Sequence, residues 1–454
     1  MKFIQQIKPD STLKAFWSCF ILCLLGGFAI IFIVSPLFHI SQKFGQGHDG
    51  YIELARSLAK GYGYVFEKDG VPVLHRPPLY PFFLVPIATL PLPFQRPALI
   101  IFQSILMGFT GCFIFKLAQE LFDKAIATLS VILFLLHPWG YWNAKNPMSA
   151  VLQSFLYVVF IYVLIVEFKH IFDKNQSNTS SSRSWVNRIL AGVIAASLAL
   201  THAAMLAVVG TIFVVLFIIA VLKRNRVYIF SVIVSMLVMI MFVCPWTYRN
   251  YVVSGRFLPI SSGAGLAYFN GNVHYNFIEE HPQQPKESFI AASLRVLEID
   301  AEVSSCIHFM GFKSINHDRI SNKKMLTHIK KTPDKFVAKV FLNAIEYYFP
   351  FATYPFLAVK TVTIESIIIT IYHLFLWGLV LLSLLVRRSN VSRKVLVLVF
   401  LIILSYAVWY FPFATFIGHS LYSFGTIPFL TILAATGISG LISLRNNFKK
   451  SINL

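Results

Sequence analysis

The sequence predicts an all-α polytopic membrane protein of about ten transmembrane helices, with outward loops that carry short interfacial helices. Three observations predict it. The 454 residues are 57% hydrophobic and only 13% charged, with 44 Phe, too apolar for a soluble protein of this length. Apolar runs of near-spanning length recur along the whole chain. Lys and Arg gather in clusters between those runs.

The chain opens with Lys2, Lys8 and Lys14 ahead of an apolar run over 16–38. That run is long enough to span and shows no small-residue cleavage site, so it reads as a retained signal anchor. Residues 39–96 form the first outward loop. Further spans are expected at roughly 97–117, 125–137, 151–168, 189–200, 203–222, 227–243, 363–386, 395–410 and 424–444. The shorter ones are expected to pack inside the bundle or thin the bilayer. Residues 245–334 form a second outward loop, opened by turn signals at Gly255, Gly263, Gly265 and Gly271. Residues 336–349, with Tyr347 and Tyr348, are amphipathic and aromatic and read as an interfacial helix. Residues 1–444 thus make a single transmembrane domain, and 445–454 a cytoplasmic tail.

The formal net charge is +20, from 39 Lys+Arg against 19 Asp+Glu. Nucleic acid is a common partner for such a balance, but here the bases lie between apolar runs, so topology accounts for them. Clusters at 169–188, at Lys223, Arg224 and Arg226, at Arg387, Arg388, Arg393 and Lys394, and at Arg445, Lys449 and Lys450 mark the cytoplasmic side. They stay there together only if 77–92 does not cross the membrane. Pro77, Pro78, Pro81, Pro86 and Pro91 also argue against a straight spanning helix there. That segment is therefore read as re-entrant or interfacial, with both termini in the cytoplasm. Cys19, Cys23, Cys112 and Cys244 lie in apolar runs and Cys306 in a polar loop, with no metal spacing, so neither structural disulfides nor a zinc site is expected.

Candidate chemistry gathers on the first outward loop. Asp49 precedes a short amphipathic helix over 50–60, where an N-cap would stand; it reads either as that cap or as a general base for an acceptor hydroxyl. Arg76 precedes Pro77-Pro78, which holds the backbone extended. It reads either as a snorkelling interfacial arginine or as a phosphate clamp, to which a guanidinium fork is suited. Arg96 opens the next span as a second clamp or a boundary arginine. Pro245-Trp246-Thr247-Tyr248-Arg249-Asn250 ends another span on the same side, and Arg249 there runs against the positive-inside tendency. Several arginines around one acid suit an anionic ligand.

These runs are where a family resemblance shows. Asp49-Gly50-Tyr51 with Leu54-Ala55, Leu58 and Gly61, then Arg76-Pro77-Pro78-Leu79-Tyr80-Pro81, then Pro245-Trp246 through Arg249-Asn250-Tyr251, Gly255 and Gly271-Asn272 resemble the GT-C glycosyltransferases of the bacterial family 39 type. That group contains protein O-mannosyltransferases and the aminoarabinose transferase of lipid A. The resemblance runs from Phe16 to about Leu444 and implies a GT-C-like fold. It implies transfer of a sugar from a polyprenyl-phosphate donor to an acceptor hydroxyl on a lipid, glycan or protein. The reaction would occur at the outer face of a bacterial cytoplasmic membrane. By resemblance Asp49 is the base, and Arg76, with Arg96 and Arg249, contacts the donor phosphate. His48, Tyr51, Tyr80, Asn250 and Asn272 are expected to line the cavity. A phosphodiester leaves as a stable anion, so no second carboxylic acid need protonate it, unlike the paired acids of glycoside hydrolysis.

The chain departs from the family pattern in places. The turn from His137 to Leu152 has no acid, and His202 follows Thr201 where relatives often have Arg. A buried His in such a place is more often a hydrogen-bonded packing residue than a catalyst. The sequence shows no required cofactor; a metal site would need a carboxylate cluster, and Asp49 has only Glu53 one turn on, so a divalent metal stays open. Two other classes stand as alternatives. A flippase or transporter of lipid-linked glycans would carry ionisable groups within its spans, which are nearly devoid of acids here. A polymerase or ligase of lipid-linked glycans shares the polyprenyl donor logic.

Overall fold

The computed structural model describes residues 9–34, 50–168, 182–264, 364–385, 393–410 and 423–452, with scattered positions between 322 and 348. Each predicted apolar run overlaps a helix within the described residues. They are α1 (Pro9–Ala29, continued by a π turn over Ile30–Val34), α4 (Leu92–Leu121), α5 (Lys124–Leu135), α7 (Ala150–Phe168), α8 (Ser182–Thr201), α9 (Ala204–Leu222), α10 (Arg226–Ser254), α11 (Ile364–Leu385), α12 (Arg393–Tyr410) and α13 (Ile427–Ile452). Three short helices join them: α2 (Tyr51–Ala59), α3 (Leu79–Ala88) and α6 (Pro138–Ala144).

The expected span number needs correction. Among the described residues seven helices are long and apolar enough to cross a membrane, or eight if α5 and α6 count as one span bent by 57°. The reasons are local. Pro138 has no N–H and sets His137 extended, which breaks α5 from α6. The apolar parts of α8 and α12, Trp185–Thr201 and Val395–Tyr410, are shorter than those of the seven. Helix α3 has 10 residues, roughly 15 Å at 1.5 Å per residue, about half of an apolar bilayer core. It is too short to span, as its prolines suggested.

Two boundaries also move. Helix α4 starts at Leu92 rather than near Pro97: Pro93 takes a tolerant first-turn position and Pro97 lies inside the helix, so Arg96 is helical. Helix α10 runs to Ser254 with Pro245 inside it, so the Trp246–Asn250 run is helical and the second loop begins later than expected.

Helix starts follow the capping chemistry. Asp123 accepts from the Ile126 N–H at 2.9 Å to open α5, and Asn225 accepts from Val227 and Tyr228 to open α10. Helix α1 packs on α4, α13 on α11 and α5, and α8 on α7 and α10. Small residues set these distances. A Cβ at Gly437 would lie 2.1 Å from the Leu379 carbonyl oxygen, and one at Gly111 would lie 2.2 Å from Cys19 Sγ.

Polar braces tie the bundle. Glu167 at the end of α7 pairs with Arg188 of α8 at 3.1 Å, and Ser231 of α10 donates to the same carboxylate oxygen at 3.0 Å. Both charged side chains are 7% exposed, and breaking such a buried pair from one side costs about 3–5 kcal/mol. The Trp139 N–H donates to His137 Nδ1, which leaves the proton on Nε2, 3.0 Å from His373 Nε2 of α11. His202 Nδ1 lies 3.0 Å from the Tyr410 hydroxyl, whose oxygen also accepts from Gln153. His202 is thus hydrogen-bonded within the helix packing.

Candidate functional site

Helix α2 is amphipathic and buries Tyr51, Ile52, Leu54 and Ala55. Its N-cap is Gly50, in the left-handed region at φ 74°, with no side-chain cap bond. This corrects the expectation that Asp49 caps the helix: Asp49 stands one residue earlier. His48, Asp49 and Asn272 themselves lie outside the described residues.

Tyr51, Arg76 and Tyr80 form one cluster. The Arg76 guanidinium carbon lies 5.5 Å from the Tyr51 ring centroid, and the Tyr51 and Tyr80 rings meet edge to face at 5.2 Å. Tyr80 is fully buried, and its hydroxyl has no hydrogen-bond partner among the described residues. Arg76 is positioned through its backbone. The Tyr64 hydroxyl donates toward the carbonyls of Arg76 and Pro77, at 3.1 and 2.9 Å. Burial pushes the Tyr64 phenol well up, only partly offset by Arg76 and Arg249, so it remains a donor at neutral pH.

Arg249 and Asn250 serve a different geometry. Arg249 Nη1 donates to the Val73 carbonyl at 2.9 Å and to Asn250 Oδ1 at 3.1 Å. Its guanidinium also lies 4.8 Å from the Trp246 ring and 5.4 Å from the Tyr64 ring. Asn250 is fully buried, and its Nδ2 donates to the carbonyls of Leu258 and Ile260. The Trp246 indole N–H donates to Ile260 at 2.8 Å, and the Ser262 N–H to Leu74 at 2.9 Å. The end of α10 is thereby lashed to both 64–76 and 258–262. The contacts of Arg249 and Asn250 hold the loop that carries Arg76.

Arg96 lies at the start of the second turn of α4, next to Gln95. Gln95 Oε1 accepts from Arg56 of α2 at 2.7 Å, and its Nε2 donates to Ala88 and Leu90 at the end of α3. So α2, α3 and α4 are cross-braced beside the cluster. Sequence reading gave little weight to Glu53. It is half-buried in the first turn of α2, and its Oε2 has no hydrogen-bond partner among the described residues. Burial raises the Glu53 carboxyl, opposed by its own backbone N–H and by Arg56. The available signal was its place one turn beyond Asp49 on an amphipathic helix. Among the described residues no three His, Cys, Asp or Glu converge as a metal site.

No family model and no curated protein matches the sequence. Solved structures do match its backbone. The chain is similar in fold to the archaeal oligosaccharyltransferase AglB. The structure of AglB from Archaeoglobus fulgidus in complex with an inhibitory peptide and a dolichol-phosphate overlays with a TM-score of 0.53 at 14% identity, covering 96% of this chain and 51% of that one. An Archaeoglobus fulgidus oligosaccharyltransferase tethered to an acceptor peptide containing the NVT sequon gives 0.52 at 13% identity, over 93% and 49%. ArnT from Cupriavidus metallidurans bound to undecaprenyl phosphate overlays less well, at 0.39 and 13% identity, over 90% of this chain and 77% of that one. This chain spans about half the length of AglB, and at such identity the likeness shows the fold. The polytopic helical fold expected from the sequence is therefore shared with that enzyme.

Proposed function

We propose that this chain is a membrane glycosyltransferase that moves a sugar from a lipid-phosphate donor to an acceptor hydroxyl. The observation that carries the reading is the setting of Arg76. It follows the helix headed by Asp49-Gly50, lies against Tyr51, and is held by Tyr64 in a fold similar to that of an oligosaccharyltransferase. The dolichol-phosphate in the AglB complex supports a lipid phosphate as the donor class.

In this reading Asp49 takes the proton from the acceptor hydroxyl. The acceptor oxygen forms a bond to the anomeric carbon as the bond from that carbon to the phosphate oxygen breaks. The electron pair leaves with the phosphate, whose charge Arg76 stabilises. Arg249, with Trp246 and Asn250, keeps the Arg76 loop in place. The site faces the outer side of the cytoplasmic membrane, which the placement of basic clusters supports.

The experiment is donor binding to purified protein. Arg76→Ala should weaken binding of a polyprenyl-phosphate sugar by about 1.5–3 kcal/mol, the usual worth of a hydrogen bond to a charged group. Arg76→Lys should recover only part, because the planar fork is lost. Unchanged affinity in the alanine variant would return Arg76 to a snorkelling role.

A further inference from the structure

The turn between α9 and α10 has a backbone conformation that its charge pattern does not require. At the end of α9 the Asn225 N–H donates to the Ala220 carbonyl at 3.0 Å, and the Arg224 N–H to Val221 at 2.8 Å. This closure puts Arg224 in the left-handed region, at φ 52°, where a Cβ is unfavourable and glycine is the usual residue. Asn225 then caps α10 through the N–H groups of Val227 and Tyr228, so the turn is fixed on both sides. It presents Lys223, Arg224 and Arg226, all exposed. No Asp or Glu occurs from 182 to 264, the stretch that holds α8, α9 and α10. Glu167 of α7 is engaged by Arg188 and Ser231. Among the described residues no carboxylate pairs with the three cations.

Below the cations lies an exposed aromatic pair. Phe230 is one helical turn from Arg226, on the same face of α10. Its ring meets that of Trp185 of α8 edge to face at 5.5 Å, and the two residues are 46% and 49% exposed. The buried Arg188 guanidinium lies 5.3 Å from the Trp185 ring and 5.6 Å from the Phe230 ring, which holds the pair in place. Exposed Ile189 and Ile233 continue the apolar surface one turn further along each helix. Gly192 permits this close pairing of α8 and α10, since a Cβ there would lie 2.5 Å from the Ser235 carbonyl oxygen.

Cations at the rim and exposed aromatic and aliphatic side chains beneath fit a phospholipid with an acidic headgroup. Its phosphate would meet the cations and its acyl chains the apolar surface. A soluble anion would use the cations alone. Positive-inside topology needs only the sign of the charge, not an arginine where glycine is favoured.

We propose that Lys223, Arg224 and Arg226, with Trp185 and Phe230, form a site for an acidic phospholipid of the cytoplasmic leaflet. Arg226 opens α10 and Arg249 lies toward its other end, roughly 35 Å away at 1.5 Å per residue, so the site is separate from the Arg76 cluster. The inference does not rest on the transferase reading.

The test uses the full chain in phosphatidylcholine nanodiscs. Lipid with brominated chains is added at rising mole fraction, as phosphatidylglycerol or as phosphatidylcholine. Quenching at Trp185 is read as the difference between wild type and Trp185→Phe. Brominated phosphatidylglycerol should half-quench Trp185 at a mole fraction at least about fivefold lower than brominated phosphatidylcholine does. Arg224→Gln and Arg226→Gln should each weaken that preference by about fivefold, the worth of one cation near the membrane surface. Arg224→Gly should weaken it as much, yet melt no lower than wild type in lipid-free detergent, because glycine accepts the left-handed turn. Equal quenching by the two lipids overturns the site. So does a glycine or glutamine variant at 224 that keeps the full preference. In lipid-free detergent, pyrophosphate should leave the melting temperature unchanged. A rise that depends on Arg224 would assign the cations to a soluble anion and overturn the lipid site.

Discussion

Replacing Arg249 separates two roles for this residue, a brace for the Arg76 loop and a direct phosphate contact. In the structure its Nη1 donates to the Val73 carbonyl and to Asn250, and its plane lies against Trp246 and Tyr64. A hydrogen bond to a charged group is worth about 1.5–3 kcal/mol, and a cation–π contact at a half-exposed site about 0.5–1. The side chain is only half-buried, so solvent recovers part of this. Arg249→Ala should therefore cost the ligand-free protein roughly 2–3 kcal/mol. Trp246→Phe, which loses the bond to Ile260, should lower stability in the same direction. The assay is thermal unfolding in detergent without donor, followed by titration with a polyprenyl-phosphate sugar. The brace requires a drop in stability before any donor is added. Unchanged ligand-free stability together with lost donor affinity would refute the brace and make Arg249 a phosphate ligand.

Two further outcomes are expected. Burial raises the Glu53 carboxyl, so its contribution to stability is fully present at acid pH, where it is protonated in both states, and is lost as pH climbs through the raised folded value. Glu53→Gln should thus match wild type in melting temperature near pH 4 and exceed it near pH 8; equal curves at both would remove the burial effect. A reporter inserted at 175–184 should read cytoplasmic and one near Gln283 external, and an external reading at 175–184 would sink the non-crossing assignment of 77–92.

Much of this fold was legible because each apolar run needs a helix to satisfy its backbone in a membrane. The prolines of 77–92 marked a segment too short to span, whereas the break at Pro138 was not read from the sequence. Helix ends were harder. Pro97 and Pro245 looked like boundaries, yet both sit inside helices. Asp49 looked like a cap because Asp favours that position, but Gly50 in the left-handed region occupies it. Arg249 looked like a ligand-binding residue because it opposes the charge rule. Its Val73 partner lies 176 residues away in sequence, and no local pattern reveals such a pairing.

The central claim is that Asp49 removes the proton from an acceptor hydroxyl, and Asp49→Asn tests it most directly. Gly50 holds the cap position, so the substitution leaves the residue that starts α2 untouched. The amide keeps the size of the side chain but cannot take the proton. The measurement follows a labelled sugar from its polyprenyl-phosphate carrier to acceptor in membranes, alongside protein level and donor binding. Turnover should fall on the order of 10²-fold or more while level and binding hold. Full turnover by the Asn variant would contradict the claim and remove Asp49 from the chemistry.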